Sequence, residues 1–128
     1  MTKPSGLDAV ALEKSRIVLN YQSDAFQRAL KHHLRIAFGL DDDPYYLPKE
    51  FSALVKGGLT PVQALQAATV RAAELLGLSA SVGSIEAGKS ADIIAVSGDP
   101  LKDLSAMEKV VFVMKAGEIV RQQPPDKP

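Results

Sequence analysis

The stretch GSIEAGKSADIIAVSGDPL, Gly83–Leu101, decides the interpretation of this sequence. Its first eight residues fit the phosphate-binding pattern G-x-x-x-x-G-K-[ST], but a P-loop follows a buried strand and opens a helix. Here a helix and a small-residue loop come before, and the short β-branched run Ala91–Val96 after it is typical of a strand. We therefore predict a tight turn at Ala87–Ser90, within a β-hairpin that joins Gly83–Glu86 to Ala91–Val96. Nucleotide binding is not expected.

The residues after this stretch also favour strands. VVFVM, Val110–Met114, is apolar and β-branched, and Ala116-Gly117 predicts a turn before Glu118–Val120. The last residues, 122–128, are polar and proline-rich, which indicates a frayed tail. We therefore place a β-rich segment at residues 81–121.

Two helices are predicted ahead of the β-rich segment. The first covers about Lys49–Lys56 and ends at Gly57-Gly58. The second covers Pro61–Leu76, because Thr60 and Gln63 have the spacing of a capping box and Pro61 suits a first helical position. Gly77 is expected to end it.

The N-terminal third predicts a helix, a strand and an acidic loop. The helix covers about Leu7–Lys31, with Leu12, Ile17 or Val18, Phe26 and Leu30 as its buried stripe. The apolar run LRIAFGL, Leu34–Leu40, predicts a short buried strand. Asp41–Pro44 is unfavourable for both helix and strand, and it predicts a loop.

Composition excludes several function classes. The 128 residues contain 15 basic and 15 acidic side chains, so no net field favours nucleic acid or an anionic membrane. Cysteine is absent from the sequence, which rules out disulfides and thiolate metal sites. No apolar run suits a signal peptide or a membrane span, so a cytoplasmic protein is the default expectation and an exported one is the alternative.

Three stretches in order resemble the C-terminal part of the metal-dependent amidohydrolase superfamily, in its imidazolonepropionase-like and Xaa-Pro dipeptidase-like group. They are RIAFGLD, Arg35–Asp41; GLTPVQALQAATVRAAELLGL, Gly58–Leu78; and GSIEAGKSADIIAVSGDPL with VVFVMKAGEIV, within Gly83–Val120. The resemblance covers about Glu13–Arg121, and the last stretch is its most specific part.

The resemblance implies an α/β fold. Members have a (β/α)8 TIM barrel with metal at the C-terminal ends of its strands, and a β-sandwich domain built from both chain termini. By this resemblance, residues 1–80 are the end of the barrel, with Leu34–Leu40 as its eighth strand. Residues 81–121 are the C-terminal share of the sandwich. Phe38, Tyr45, Tyr46 and Phe51 would then line the barrel interior or mouth.

By the same resemblance, Asp41 is the catalytic and metal-binding residue. A carboxylate at that strand end is a ligand of a divalent metal, with zinc as the first choice, and the general base for water. The alternative is that Asp41 belongs to a solvated acidic turn, since aspartate is common in turns. Leu40, Asp42 and Asp43 also depart from the Gly-Thr-Asp-Ala-Gly pattern that related sequences usually show.

The resemblance places the other metal ligands on earlier barrel strands, upstream of Leu7. One carboxylate is too few for a catalytic ion, so we expect this chain alone to retain no metal. His32 and His33 are not expected to replace them, because seven strand residues separate their end of the strand from Asp41 by about 23 Å. Their expected role is to terminate the first helix.

Two functions follow. The first is a metal-dependent hydrolase of amide, cyclic-amide or peptide C–N bonds, present as a C-terminal fragment that is inactive alone and whose full-length form takes a small-molecule or peptide substrate. The second is a non-catalytic α+β module that folds alone or pairs with another chain. A homo-oligomer or a complementing chain is the expected macromolecular partner, because a lone strand and half a sandwich leave apolar faces open.

Overall fold

The computed structural model describes residues 9–41, 43 and 46–123. The chain divides into two units, Met1–Leu34 and Arg35–Pro128, and each is described by itself. None of the helices in the described ranges is long and apolar enough to cross a membrane.

The first unit contains one helix, α1, Ala9–Lys31. The predicted helix is confirmed, although Leu7 lies outside the described residues. Its predicted buried stripe is only partly confirmed, because Phe26 and Leu30 are half-buried whereas Leu12, Ile17 and Val18 are exposed. Helical periodicity orients a stripe, but burial requires a second element against it.

In the described residues of the second unit, three helices precede three strands. The helices are α2, Leu47–Lys56; α3, Pro61–Ala68; and α4, Val70–Leu75. The strands are β1, Ile93–Val96; β2, Val110–Lys115; and β3, Glu118–Gln122, with a 3₁₀ helix at Leu104–Glu108. The sheet order is β1-β2-β3, and both pairings are antiparallel. Three of the four predicted strand segments of the β-rich region, those within Ala91–Val96, Val110–Met114 and Glu118–Val120, are confirmed.

The start of α3 follows the predicted chemistry. The Thr60 hydroxyl accepts the N–H of Gln63, and the Gln63 side chain accepts the N–H of Thr60, so the capping box is complete. Two donors that a helix start leaves free are thereby satisfied. Gly77 has φ +70° and follows α4, which confirms it as the helix-ending glycine.

The predicted helix Pro61–Leu76 is two helices, and the break lies at Thr69, whose φ is −122° and ψ is −96°. Three carbonyls in the last turn of α3 find partners around this break. The Leu65 carbonyl accepts the Thr69 hydroxyl at 2.8 Å, and the Gln66 carbonyl accepts the Thr69 N–H at 3.2 Å. The third, on Ala67, accepts the N–H of Phe38 at 3.0 Å.

The core of the second unit is small, and most of its side chains are alanines. Its buried apolar residues lie mainly on the helices and are Phe51, Leu54, Leu59, Ala64, Ala67, Ala73 and Ala106. Helix α2 contacts both α3 and the 3₁₀ helix, and the latter also contacts β1. The helices are thereby joined to the sheet through the 3₁₀ segment.

Two strand predictions are wrong. Gly83–Glu86 is not a strand, so the predicted hairpin with Ala91–Val96 does not form. Leu34–Leu40 has no regular strand structure, because a strand needs hydrogen bonds to a neighbour and none pairs with this segment in the described part of the chain. The acidic residue Asp41 lies in a bend immediately after it, which agrees with the predicted loop.

Candidate active-site segment

The segment Arg35–Asp41, called here the Asp41 arm, carries the predicted site residue at its end. Its carboxyl-terminal residue, Asp41, is exposed. The backbone carbonyl of Asp43 accepts the N–H of Tyr46 at 2.9 Å, which turns the chain toward α2. Asp42, Pro44 and Tyr45, which the sequence predictions include, lie outside the described residues.

Phe38 anchors the middle of the arm. Its ring lies on that of Phe51 in α2, with centroids 4.7 Å apart and planes tilted by 32°. Its N–H donates to the carbonyl of Ala67 in α3. Phe51 is buried, with 8% of its surface exposed, so this contact belongs to the packing between arm and helices. The expectation that Phe38 and Phe51 line the interior or mouth of a complete barrel stays a prediction, and in this chain the two rings cover each other.

Arg35 anchors the start of the arm. Its guanidinium donates to one carboxylate oxygen of Glu74 in α4, and the other oxygen accepts a hydrogen bond from Arg71 at 3.2 Å. One carboxylate thus pairs with two cations. The sequence predictions did not include this pair, because Arg35 and Glu74 are 39 residues apart and no local pattern joins them.

The described residues do not form a complete metal site. They contain no group of three or more histidine, cysteine, aspartate and glutamate side chains that could hold an ion. Asp41 offers one carboxylate, and a catalytic zinc site normally has three protein ligands. With only this carboxylate as a ligand, the described residues do not form a metal-binding site by themselves.

His32 and His33 complete the end of α1, as predicted. The N–H of His33 donates to Leu30 and that of Leu34 donates to Ala29, the two hydrogen bonds of a Schellman motif. His33 occupies the left-handed position of this motif with φ +54°. Both imidazoles are exposed.

The P-loop-like stretch forms a turn that is closed by its own side chains. The N–H of Lys89 donates to the carbonyl of Glu86 at 3.2 Å, and Gly88 between them has φ +88°, which confirms the predicted turn. The Lys89 ammonium lies 2.6 Å from the Ser84 hydroxyl and 3.4 Å from the Glu86 carboxylate. After Ser90 the chain enters β1, whereas a P-loop would enter a helix.

Within this turn, the pKa of Glu86 is lowered from its ordinary value. The first cause is the hydrogen bond that the Ser84 hydroxyl donates to its carboxylate, and the second is the positive charge of Lys89. The pKa of Asp103 is lowered in the same way by the side-chain and backbone donors of Ser105. Both carboxylates therefore act as acceptors that hold local turns.

Residues 2–120 match the sequence profile of the Amidohydrolase family. Over 123 residues the chain is 32% identical to the ochratoxinase of Aspergillus niger, covering 91% of this chain and 25% of that protein. It is 30% identical to the imidazolonepropionase of Shouchella clausii, covering 91% of this chain and 28% of that protein. The chain thus spans about a quarter of the length of the curated relatives it matches.

Solved structures give the same relationship. A Xaa-Pro dipeptidase with methionine bound in its active site superposes with a TM-score of 0.74 at 40% identity, covering 77% of this chain and 25% of that chain. The A. niger ochratoxinase structure superposes with a TM-score of 0.79 at 29% identity, covering 94% of this chain and 29% of that chain.

Proposed function

This chain belongs to the amidohydrolase family, and we propose that it forms the C-terminal part of a hydrolase that cleaves carbon–nitrogen bonds. One observation carries the proposal: the family match runs through residues 2–120 and includes the Asp41 arm. The relationship to a Xaa-Pro dipeptidase, at 40% identity, favours an amide bond of a peptide as the target. A cyclic amide is the second substrate class that we propose.

We assign the catalytic role in this chain to Asp41. Its carboxylate is exposed at the end of the Asp41 arm, which three helices hold through Phe38 and Arg35, so a substrate can reach it. A carboxylate there can accept a proton from the water that attacks the carbonyl carbon and then pass it to the leaving amine. General acid–base catalysis of this kind contributes roughly 10²–10⁴-fold to a rate.

Members of the family generally use a divalent metal, and we propose zinc for the complete enzyme. Asp41 is the one described residue that we assign as a ligand. Since the described residues hold no cluster of ligands, we place the remaining ligands on polypeptide outside them. This chain by itself is then expected to retain no metal and to be inactive.

The exposed apolar residues support a larger assembly. Leu75, Leu76 and Ile85 expose 74%, 68% and 82% of their surface, respectively. Leu76 and Ile85 line one open groove of about 370 Å³ between α4 and β1. We propose that additional polypeptide covers it, either as a complementing chain or in a homo-oligomer.

A non-catalytic module is the second candidate. The second unit has its own three-stranded sheet and its own small core, which favours a module that folds alone. Intact mass of the native gene product separates the candidates. A mass several times 13.7 kDa supports the hydrolase, and a mass near 13.7 kDa supports the module.

The test of the proposed function uses the native gene product purified from its source cells, and assays the hydrolysis of Xaa-Pro dipeptides such as Met-Pro. Asp41→Asn is expected to lower kcat by about 10²–10⁴-fold. Asp43→Asn is the matched control and is expected to retain the activity of the unsubstituted protein. If Asp41→Asn is as active as the control, Asp41 is not the base and the proposal fails.

A further inference from the structure

The geometry points to Glu74 as a positioning residue for Asp41, acting through Arg35 at the opposite end of the Asp41 arm. This inference rests on the proposed function, in which Asp41 is the base. Glu74 accepts from Arg35 with one oxygen and from Arg71 with the other. It therefore joins the arm to α4 and is itself held by its own helix.

The arm needs more than one anchor, because it is not part of a sheet in the described ranges. Phe38 lies three residues before Asp41 and is held by α2 and α3, whereas Arg35 lies three residues before Phe38 and is held by α4. Packing of Phe38 on Phe51 fixes the middle of the arm. The ring and the N–H of Phe38 attach the arm at the same residue, so the rest of the arm can still pivot about that residue. The contact between Arg35 and Glu74 holds the arm at a second residue, and it thereby restricts the direction in which the arm presents Asp41.

The expected size of the effect follows from exposure. The side chains of Arg35 and Glu74 are 65% and 41% exposed, so water screens their attraction. An exposed ion pair of this kind changes a local equilibrium by about two- to fivefold. A change of this size is small compared with the equilibrium constant of global unfolding, but it is large enough to change how often the arm opens.

Hydrogen exchange of the Phe38 amide measures that opening directly, because this N–H is bonded to Ala67 only while the arm is seated. In the full chain, Glu74→Gln and Arg35→Gln are each expected to speed its exchange by about two- to fivefold. The double variant is expected to be no faster than either single one, since both remove the same contact. If Glu74→Gln does not fold, Arg35→Gln carries the test.

Arg71→Gln is the matched control, because it removes the other partner of Glu74 and leaves the contact to the arm. It is expected to leave the exchange of Phe38 unchanged. The amide of Ala73, which donates to Thr69 at 2.9 Å, reports on α4 itself and is expected to be unchanged in all variants. The inference is overturned if Phe38 exchange does not respond to Glu74→Gln, if Arg71→Gln gives the same effect, or if Ala73 is accelerated equally.

In the active native product, Glu74→Gln is expected to lower kcat with little change in KM, because it alters the direction of the base and not the binding of substrate. The positioning role of Glu74 and the catalytic role of Asp41 can be refuted independently. An unchanged exchange rate removes the positioning role while the effect of Asp41→Asn stands. A fully active Asp41→Asn variant removes the catalytic role even where the exchange effect is present.

Discussion

Replacing Gly83 by alanine is expected to destabilise the protein far more than the same replacement at Gly88. Gly83 has φ +95°, and a Cβ added there would lie 2.6 Å from the Cβ of Ala73, 3.2 Å from the Thr69 carbonyl oxygen and 3.3 Å from the Val70 Cα. Gly88 has a similar φ of +88° but no heavy atom within 4 Å of the added Cβ. The two sites therefore share the backbone strain and differ in the close approach to α4.

The magnitude can be divided between these two causes. A left-handed conformation at a non-glycine residue costs about 1–2 kcal/mol. Forcing extra atoms into a closely packed contact costs about 1–3 kcal/mol more. The change in unfolding free energy is then about 2–5 kcal/mol for Gly83→Ala and about 1–2 kcal/mol for Gly88→Ala.

Urea unfolding followed by circular dichroism measures both changes, with the m-value checked for constancy. Gly39→Ala serves as a third member of the series, because its φ is outside the left-handed region and its added Cβ meets nothing within 4 Å. It is expected to be close to neutral. Equal costs at Gly83 and Gly88 would refute the packing of the Gly83 loop on α4.

Two further predictions concern local hydrogen bonds. Thr60→Ala removes the side-chain acceptor of the capping box and is expected to cost about 1 kcal/mol in urea unfolding, whereas Thr60→Ser, which keeps the hydroxyl, is expected to cost much less. Ser84→Ala removes the first cause of the lowered pKa of Glu86, so ¹³C NMR titration of that carboxyl is expected to show the pKa moving up toward its ordinary value. The pKa of Glu86 is lower in the folded protein than in the unfolded chain, where it is near 4.5. The ionised carboxylate therefore stabilises the fold above the unfolded pKa, and this stabilisation is lost as the pH falls through the folded pKa. Ser84→Ala is expected to make this pH-dependent loss of stability smaller.

Each of these outcomes can contradict the structure. An unchanged stability in Thr60→Ala would mean that the hydrogen bond from Gln63 contributes nothing. An unchanged titration of Glu86 in Ser84→Ala would assign the lowered pKa to Lys89 alone.

Sequence patterns predicted the elements whose causes are local. Thr60, Pro61 and Gln63 lie within four residues of each other, so the capping box could be identified from spacing alone. Gly77 and the turn at Gly88 were predicted for the same reason, because each depends on the backbone freedom of one residue. The β-branched runs that became β1, β2 and β3 were equally clear.

The failed strand at Leu34–Leu40 and the contacts of the arm that were not predicted have a common physical origin in contacts between distant residues. Leu34–Leu40 has the composition of a buried strand, but pairing depends on neighbours that the segment itself does not specify. The contact of Phe38 with Phe51, and that of Arg35 with Glu74, likewise join positions far apart in the sequence. The position of Asp41 at the end of the arm could be predicted, whereas the side chains that orient the arm could not.

The break at Thr69 has a consequence for attempts to stabilise this protein. A continuous helix from Pro61 to Leu75 would use its carbonyls for its own ladder, and residues of higher helix propensity at Thr69 would favour it. In the native arrangement the Ala67 carbonyl, near the end of α3, accepts a hydrogen bond from the arm. A sequence redesigned for higher helix content and thermal stability would thus lose the attachment of the arm. The break at Thr69 is therefore worth preserving in any redesign.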